Sequence, residues 1–241
     1  MFSDLIQSIR CALPFTCIVC GQVADGDHSI CNDCAGELPK LGDCCRRCGI
    51  ELNGRLVMDS CCTSCHVSPP SFDFCRAVFP YVSPIDKLVT DFKFSARFDI
   101  GYSLSRVLAG AFNAYYIGMA KPALLLPVPL HKSRLSSRGF NQASEICNVL
   151  SKYCGVSASH SPLSKIRNTQ PQTSMGSAAA RKVNLRKAFA VNQMGSLEGV
   201  THIALIDDVV TTMATVDTIS RMLQEQQDCR IDVWCLARAS R

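Results

Sequence analysis

Two acids, Asp207 and Asp208, stand just ahead of Thr211-Thr212, and Thr215 follows at the head of an amphipathic run. Carboxylates accept hydrogen bonds from sugar hydroxyls. Threonine hydroxyls and free amides at a helix N-terminus make a cradle for phosphate. The stretch "HIALIDDVVTTMATVDTISRML" (202–223) thus carries the residue types that hold a phosphorylated sugar. A plainer role competes: the acids end a strand, and Thr212 or Thr215 caps the next helix. A second stretch, "PVPLHKSRLSSRGFNQA" (127–143), supplies Lys132, Arg134 and Arg138. Alone it reads as a solvated basic loop. At the same sheet edge as the acids, it adds the cations that a polyphosphate sugar requires.

A different chemistry is written at the other end of the chain. Cys17 and Cys20, Cys31 and Cys34, Cys45 and Cys48, and Cys62 and Cys65 form four CxxC pairs. The pattern CxxCG…CxxC occurs twice, over 17–34 and 45–65. Each CxxC turn sets two thiolates on one side of a knuckle, and the glycine after it takes the open dihedrals of the turn. Two knuckles give the closed tetrahedral sulfur set of a structural zinc, so two zinc ions per chain are expected. A closed site leaves no coordination position for catalysis. Free thiols and an iron–sulfur cluster are the competing readings. Knuckles pair in sequence, with crossed pairing as the alternative, and Cys44 and Cys61 blur the register of the second site.

These features need elements to position them. The chain has 241 residues, 47% hydrophobic and 19% charged, enough for one good core and a small satellite. The segment from His131 to Lys187 holds ten Lys or Arg against Glu145 alone, while the whole chain is only +5. Such a bias points to an anionic ligand, either phosphates or nucleic acid. Sixteen cysteines without an export signal indicate reduced thiols and a cytoplasmic protein. No apolar stretch reaches membrane-spanning length, which argues against membrane insertion.

Few large apolar residues accompany the cysteines, so metal replaces a core there. The Pro-Pro segment 66–75 reads as a linker, which divides the chain into a ribbon domain (1–70) and a second domain (71–241). In the second, strand-like runs at 76–82, 123–128, 202–206 and 231–237 alternate with helical periodicity at 85–94, 100–118, 139–153 and 215–226. The pattern predicts an α/β fold with a parallel sheet covered on both faces. Ligands in such sheets bind beyond the carboxyl ends of the strands, which selects the loops after 128 and 206.

The order of four CxxC pairs, "FKF", "PVPLHKSRLSSRGFNQA", "RNTQPQTSMGSAAARKVNLRKAF" and "IALIDDVVTTMAT" resembles the ComF family, GntX-like members included. The resemblance spans nearly the whole chain. It implies a double zinc ribbon followed by a type I phosphoribosyltransferase fold, whose ligand is phosphoribosyl pyrophosphate with Mg²⁺. Asp207 and Asp208 then meet the ribose hydroxyls. Thr211, Thr212, Ala214 and Thr215 wrap the 5′-phosphate, and the turn after Pro127-Val128-Pro129, with Arg138 nearby, faces the pyrophosphate. Arg167, Gln170, Arg181 and Asn184 match a second family motif, a flap over the site. Chemistry there is displacement of pyrophosphate at the anomeric carbon through an oxocarbenium-like state, with the acceptor unidentified.

One departure stands out. Family phosphate loops carry glycine where this chain has Met213. That side chain either strains the loop, narrows the cradle, or points to solvent. The resemblance also implies handling of single-stranded DNA during natural transformation, with the competence helicase as a partner. In that role the site grips a sugar-phosphate without reacting. Phe140 and Tyr153 are the only aromatic residues between 131 and 187, so backbone contact is the expected mode. A structural adaptor with a degenerate site is the third reading.

Overall fold

The computed structural model describes residues 15–24, 28–54, 59–168, 185–192 and 197–240. The cysteine-rich part is thin in secondary structure: a two-residue pair, β1 (Phe15–Thr16) with β2 (Val23–Ala24), and short helices α1 (Asn32–Glu37) and α2 (Thr63–Val67). Both glycines that follow a CxxC pair sit in the left-handed region, Gly21 at φ +77° and Gly49 at φ +66°. Gly49 is doubly constrained, because a Cβ there would lie 2.5 Å from the Cys75 carbonyl oxygen. Cys75 N–H in turn donates to the Arg47 carbonyl at 2.7 Å, so the second ribbon rests directly on the sheet. Gly49→Ala will destabilise the protein by about 2–4 kcal/mol, read from the shift in denaturant midpoint.

The sheet has five parallel strands in the order β3 (Phe74–Pro80), β9 (Arg230–Arg238), β8 (His202–Val210), β4 (Leu124–Pro127), β5 (Ser157–Ala158). Its strands are apolar on both sides, as a doubly covered sheet requires. Along β8, Ala204 and Ile206 face the core built by α3 (Ile85–Phe94), α4 (Phe98–Tyr115) and α6 (Gln142–Cys154). Ile203 and Leu205 face the core built with α7 (Ala214–Gln224). The α/β class and parallel sheet expected from the alternating pattern are thus the observed ones, with a cysteine-rich ribbon ahead of them. Among the described residues no helix is long and apolar enough to cross a membrane.

Three local expectations need correction. The strand predicted over 202–206 continues to Val210, because β9 offers it a partner along its full length, including Asp207 opposite Cys235. The two acids therefore lie within the strand and do not follow it. The basic stretch is no simple loop: it holds α5 (Lys132–Arg138), opened by His131, whose Nδ1 accepts from Ser133 N–H at 3.2 Å, and closed by Gly139 at φ +81°. A short antiparallel pair, β6 (Leu163–Lys165) with β7 (Phe189–Val191), was not foreseen; its three-residue strands are too short to leave a periodic signal.

Candidate functional site

The carboxyl end of β8 gathers charge. Asp208 donates its N–H to Asp207 Oδ1 at 2.9 Å. Lys93, near the end of α3, places Nζ 3.0 Å from Asp208 Oδ1, with side chains only 17% and 13% exposed. Sequence reading quoted Phe92-Lys93-Phe94 yet gave Lys93 no role. A lysine in the last turn of a helix looks like an ordinary partner of the helix dipole, and only the packing of α3 on the sheet reveals its target. Burial pulls the Arg138 guanidinium down; Asp208 opposes that effect and Arg134 adds to it. Burial likewise pulls Lys165 down, with Arg134 adding to the effect and Asp207 opposing it. Three cations from three elements, Lys93 on α3, Arg138 on α5 and Lys165 on β6, thus act on the two carboxylates, with Arg134 of α5 beside the last two. Lys132 points outward and is exposed.

Burial and the neighbouring Asp208 charge push Asp207 up to about 7, against the hydrogen bond it accepts from Asp208 N–H and the pull of Lys93 and Lys165. The folded state therefore holds a proton that the unfolded chain releases near 4. The stability this proton confers is complete below the unfolded value and is lost as pH rises through about 7. Asp207→Asn should gain on wild type between pH 4 and 8, by about 1–3 kcal/mol. Thermal melts across that range check it.

The next residues form an open loop. Thr211, Thr212 and Ala214 are exposed and Thr215 is half-buried. Helix α7 starts at Ala214 behind Met213, and no side chain caps it. The plainer reading, in which Thr212 or Thr215 serves as cap, does not hold. Met213 adopts φ +64°, the conformation a glycine would take there. Its side chain does not escape to solvent; it is half-buried and packs against both the α7-side core and the second ribbon's cluster.

The Arg138-Gly139-Phe140-Asn141-Gln142 motif builds the facing wall. Asn141 opens α6 by accepting from Ala143 N–H at 3.1 Å, and its amide donates to the Val128 carbonyl at 3.0 Å. That bond fixes the turn after Pro127. Arg138 Nη1 donates to Gln142 Oε1 at 3.0 Å while the guanidinium carbon lies 4.7 Å from the Phe94 ring centroid. Gln142 is fully buried, and its Nε2 has no hydrogen-bond partner among the described residues. Arg167 is exposed beyond β6, with its N–H on the Ala188 carbonyl. Gln170, Arg181 and Asn184 lie outside the described residues.

The cysteines resolve into two quartets, Cys17, Cys20, Cys31, Cys34 and Cys45, Cys48, Cys62, Cys65, with ligand atoms within 4.8 Å of one another in each. Knuckles pair in sequence. Cys62 supplies the ligand; Cys61 is buried and accepts from Arg46 Nε at 3.4 Å. The two sites are built alike. Cys31 N–H donates to Cys17 Sγ at 3.4 Å, and Cys62 N–H to Cys45 Sγ at 3.3 Å. Burial raises both thiols, but backbone donors outweigh it and bring Cys17 to about 6 and Cys45 to about 7. Neighbouring thiols push Cys34 well up, and burial pushes Cys48 to about 12. Four thiolates cannot share one point without a cation, and a tetrahedral zinc fits this donor set.

The chain is similar to known proteins over most of its length. A double zinc ribbon domain matches residues 8–66. Competence protein F of Haemophilus influenzae is 32% identical over 228 residues, covering 93% of this chain and 97% of that protein. DNA utilization protein YhgH of Escherichia coli K12 is 31% identical over 94% of this chain and 98% of its own. Competence protein ComFC of Bacillus subtilis is 28% identical over 83% and 80%. Matched almost from end to end by such proteins, and carrying both zinc quartets, the chain belongs to the ComF (competence protein F) family.

Proposed function

We propose that this protein binds a phosphoribosyl group at the carboxyl end of its sheet, as phosphoribosyl pyrophosphate or as a nucleic-acid sugar-phosphate, and handles single-stranded DNA during uptake. The observation that carries this reading is the meeting of Lys93, Arg138 and Lys165 with Asp207 and Asp208, with Arg134 beside them, directly ahead of an uncapped helix. The cations suit a pyrophosphate, the carboxylates suit ribose hydroxyls, and the amides of 211–215 suit the 5′-phosphate. The orphan Gln142 Nε2 is a donor awaiting an acceptor on the same wall. Mg²⁺ would arrive on the ligand's own oxygens and spread the leaving group's charge. Relatives named for competence and DNA utilization support the role in DNA uptake.

If the site turns over, Arg138 and Lys93 would stabilise the departing pyrophosphate and Asp207 or Asp208 the cationic sugar. If it only binds, a strand needs somewhere to lay its bases. Phe94 is 69% exposed and Phe98 49%, and Phe98 packs against Phe140 at 4.6 Å between centroids. Both lie outside the basic segment, so the scarcity of aromatics within it misleads. Base stacking on such rings is worth about 1–3 kcal/mol per base. Phe94→Ala with Phe98→Ala should therefore weaken binding of an oligo-dT by roughly 10-fold or more, while leaving its salt slope unchanged.

Enzyme, binding module and inert adaptor separate in one assay series. Pyrophosphate release that depends on an added acceptor identifies an enzyme. Steeply salt-dependent binding of single-stranded DNA without pyrophosphate release identifies the binding module, in which the zinc ribbon is free to engage a competence helicase. Neither response identifies an adaptor and overturns the reading.

A further inference from the structure

We propose that the second zinc site sets the shape of the phosphate loop through Arg238, so that metal at Cys45, Cys48, Cys62 and Cys65 controls anion binding at Thr211–Thr215. The inference rests on the reading of 211–215 as the phosphate loop, and it makes Arg238 a positioning residue for it.

Arg238 ends β9 and is 2% exposed. Among the described residues only carbonyl oxygens hold its guanidinium. Nε donates to the Cys48 carbonyl at 2.9 Å. Nη1 donates to Val210 at 2.9 Å, Thr211 at 2.6 Å and Ala239 at 2.8 Å. One planar, rigid group therefore joins a knuckle cysteine to the two residues where β8 becomes the loop. The consequence for the loop follows from peptide geometry. In a trans peptide the C=O and the next N–H point in opposite directions. Drawing the Val210 and Thr211 carbonyls in toward Arg238 aims the Thr211 and Thr212 amides away from it, on the side where both residues are exposed. Those are the donors a phosphate cradle requires.

The metal enters as the anchor of the other edge. A zinc held by four thiolates is a net negative centre, and the residue whose side chain serves it, Cys48, offers its carbonyl to the buried cation. Carbonyl dipoles alone are a thin counter-charge for a guanidinium with almost no water. Bound zinc would fix the Cys48 backbone and keep the four cysteines as thiolates, whose net negative charge is the missing counter-charge. Met213 is a second strut, held at φ +64° with its side chain against the ribbon cluster that contains Cys45, Cys48 and Cys65. At a backbone conformation that glycine adopts most easily, this chain places a side chain in contact with the ribbon. Loss of metal removes both supports. Among the described residues the first zinc site has no such link: Cys17, Cys31 and Cys34 pack into the helical core, with Ser29 N–H donating to Ser103 Oγ at 2.9 Å.

The full chain tests this with ribose 5-phosphate as probe. Cys62→Ala should empty the second site and Cys20→Ala the first, confirmed by zinc content, with circular dichroism showing the sheet intact. Calorimetry should give at least a 10-fold loss of ribose 5-phosphate affinity for Cys62→Ala and less than a twofold change for Cys20→Ala. By reciprocity, saturating ribose 5-phosphate should slow zinc release from the second site and leave the first unchanged. Equal affinity in wild type and Cys62→Ala overturns the coupling while leaving the phosphate-loop reading intact. Failure of the zinc-loaded wild type to bind ribose 5-phosphate overturns that reading instead. Hydrogen exchange at the Thr211 and Thr212 amides covers that case, since it needs no ligand: faster exchange in Cys62→Ala supports the mechanical link, and unchanged exchange rejects it. Arg238→Met, if it folds, should match Cys62→Ala in affinity while keeping both zinc ions.

Discussion

Cys45→Ser together with Cys48→Ser is expected to remove one of two zinc ions per chain and to unfold the second ribbon. Among the described residues Leu52 is the one buried large apolar residue beside the cysteines of that cluster, with Ile50 and Met213 packed against it. Zinc binding in such units contributes about 10–16 kcal/mol of apparent free energy, so no hydrophobic contact there can replace it. The effect spreads, because the ribbon grips the sheet through Arg47 and Gly49 on β3 and through Cys48 on Arg238. A melting point lowered by about 10 °C or more, about 3–5 kcal/mol or above for a chain this size, is the expected outcome. Elemental analysis checks the stoichiometry. Retention of two zinc ions by the double variant would show that Cys44 or Cys61 is a ligand.

The second large effect concerns the ligand. Above the value of about 7 at which Asp207 loses its proton, Asp207→Asn combined with Asp208→Asn keeps shape and volume but removes both charged acceptors. Hydrogen bonds to charged groups contribute about 1.5–3 kcal/mol each, so affinity for phosphoribosyl pyrophosphate should fall by about 100-fold or more. Lys93 sharpens the expectation. It neutralises Asp208 in the free protein, at 3.0 Å, and a ligand's ribose must share that carboxylate with it. Removing the acids also lessens repulsion of an anionic ligand and frees Lys93, which works against the loss. A simple charge effect therefore predicts tighter binding by the double variant, while sugar recognition predicts weaker binding. Calorimetric titration at fixed salt separates the two by sign.

Much of this arrangement was legible in the chain. The zinc quartets follow from CxxC spacing, because a four-residue turn fixes where its two sulfurs go. Sequential over crossed pairing of the knuckles, and the exclusion of Cys44 and Cys61 from the second quartet, needed the structure. The apolar run over 203–206 announced a doubly covered strand through residue type alone. What stayed hidden depends on partners far away in sequence. Asp207 and Asp208 interrupt an apolar run and so imitate a strand end, yet β9 carries the ladder past them to Val210. Lys93 reads as a helix-terminal lysine until α3 packs against β8. Arg238 reads as a surface cation near a chain end, although it is buried and makes four hydrogen bonds to carbonyls. Met213 could be seen as a departure from glycine, but its contact with the ribbon could not. In each case a local signal is correct and incomplete, since the element that completes it is brought alongside only by the tertiary fold.

Crystals soaked with phosphoribosyl pyrophosphate and Mg²⁺ test the central claim most directly. The account predicts density for a 5′-phosphate on the amides of 211–215, with ribose hydroxyls on Asp207 and Asp208 and the pyrophosphate among Lys93, Arg134 and Arg138. A fully occupied ligand elsewhere on the molecule, or none at saturating concentration, would contradict it.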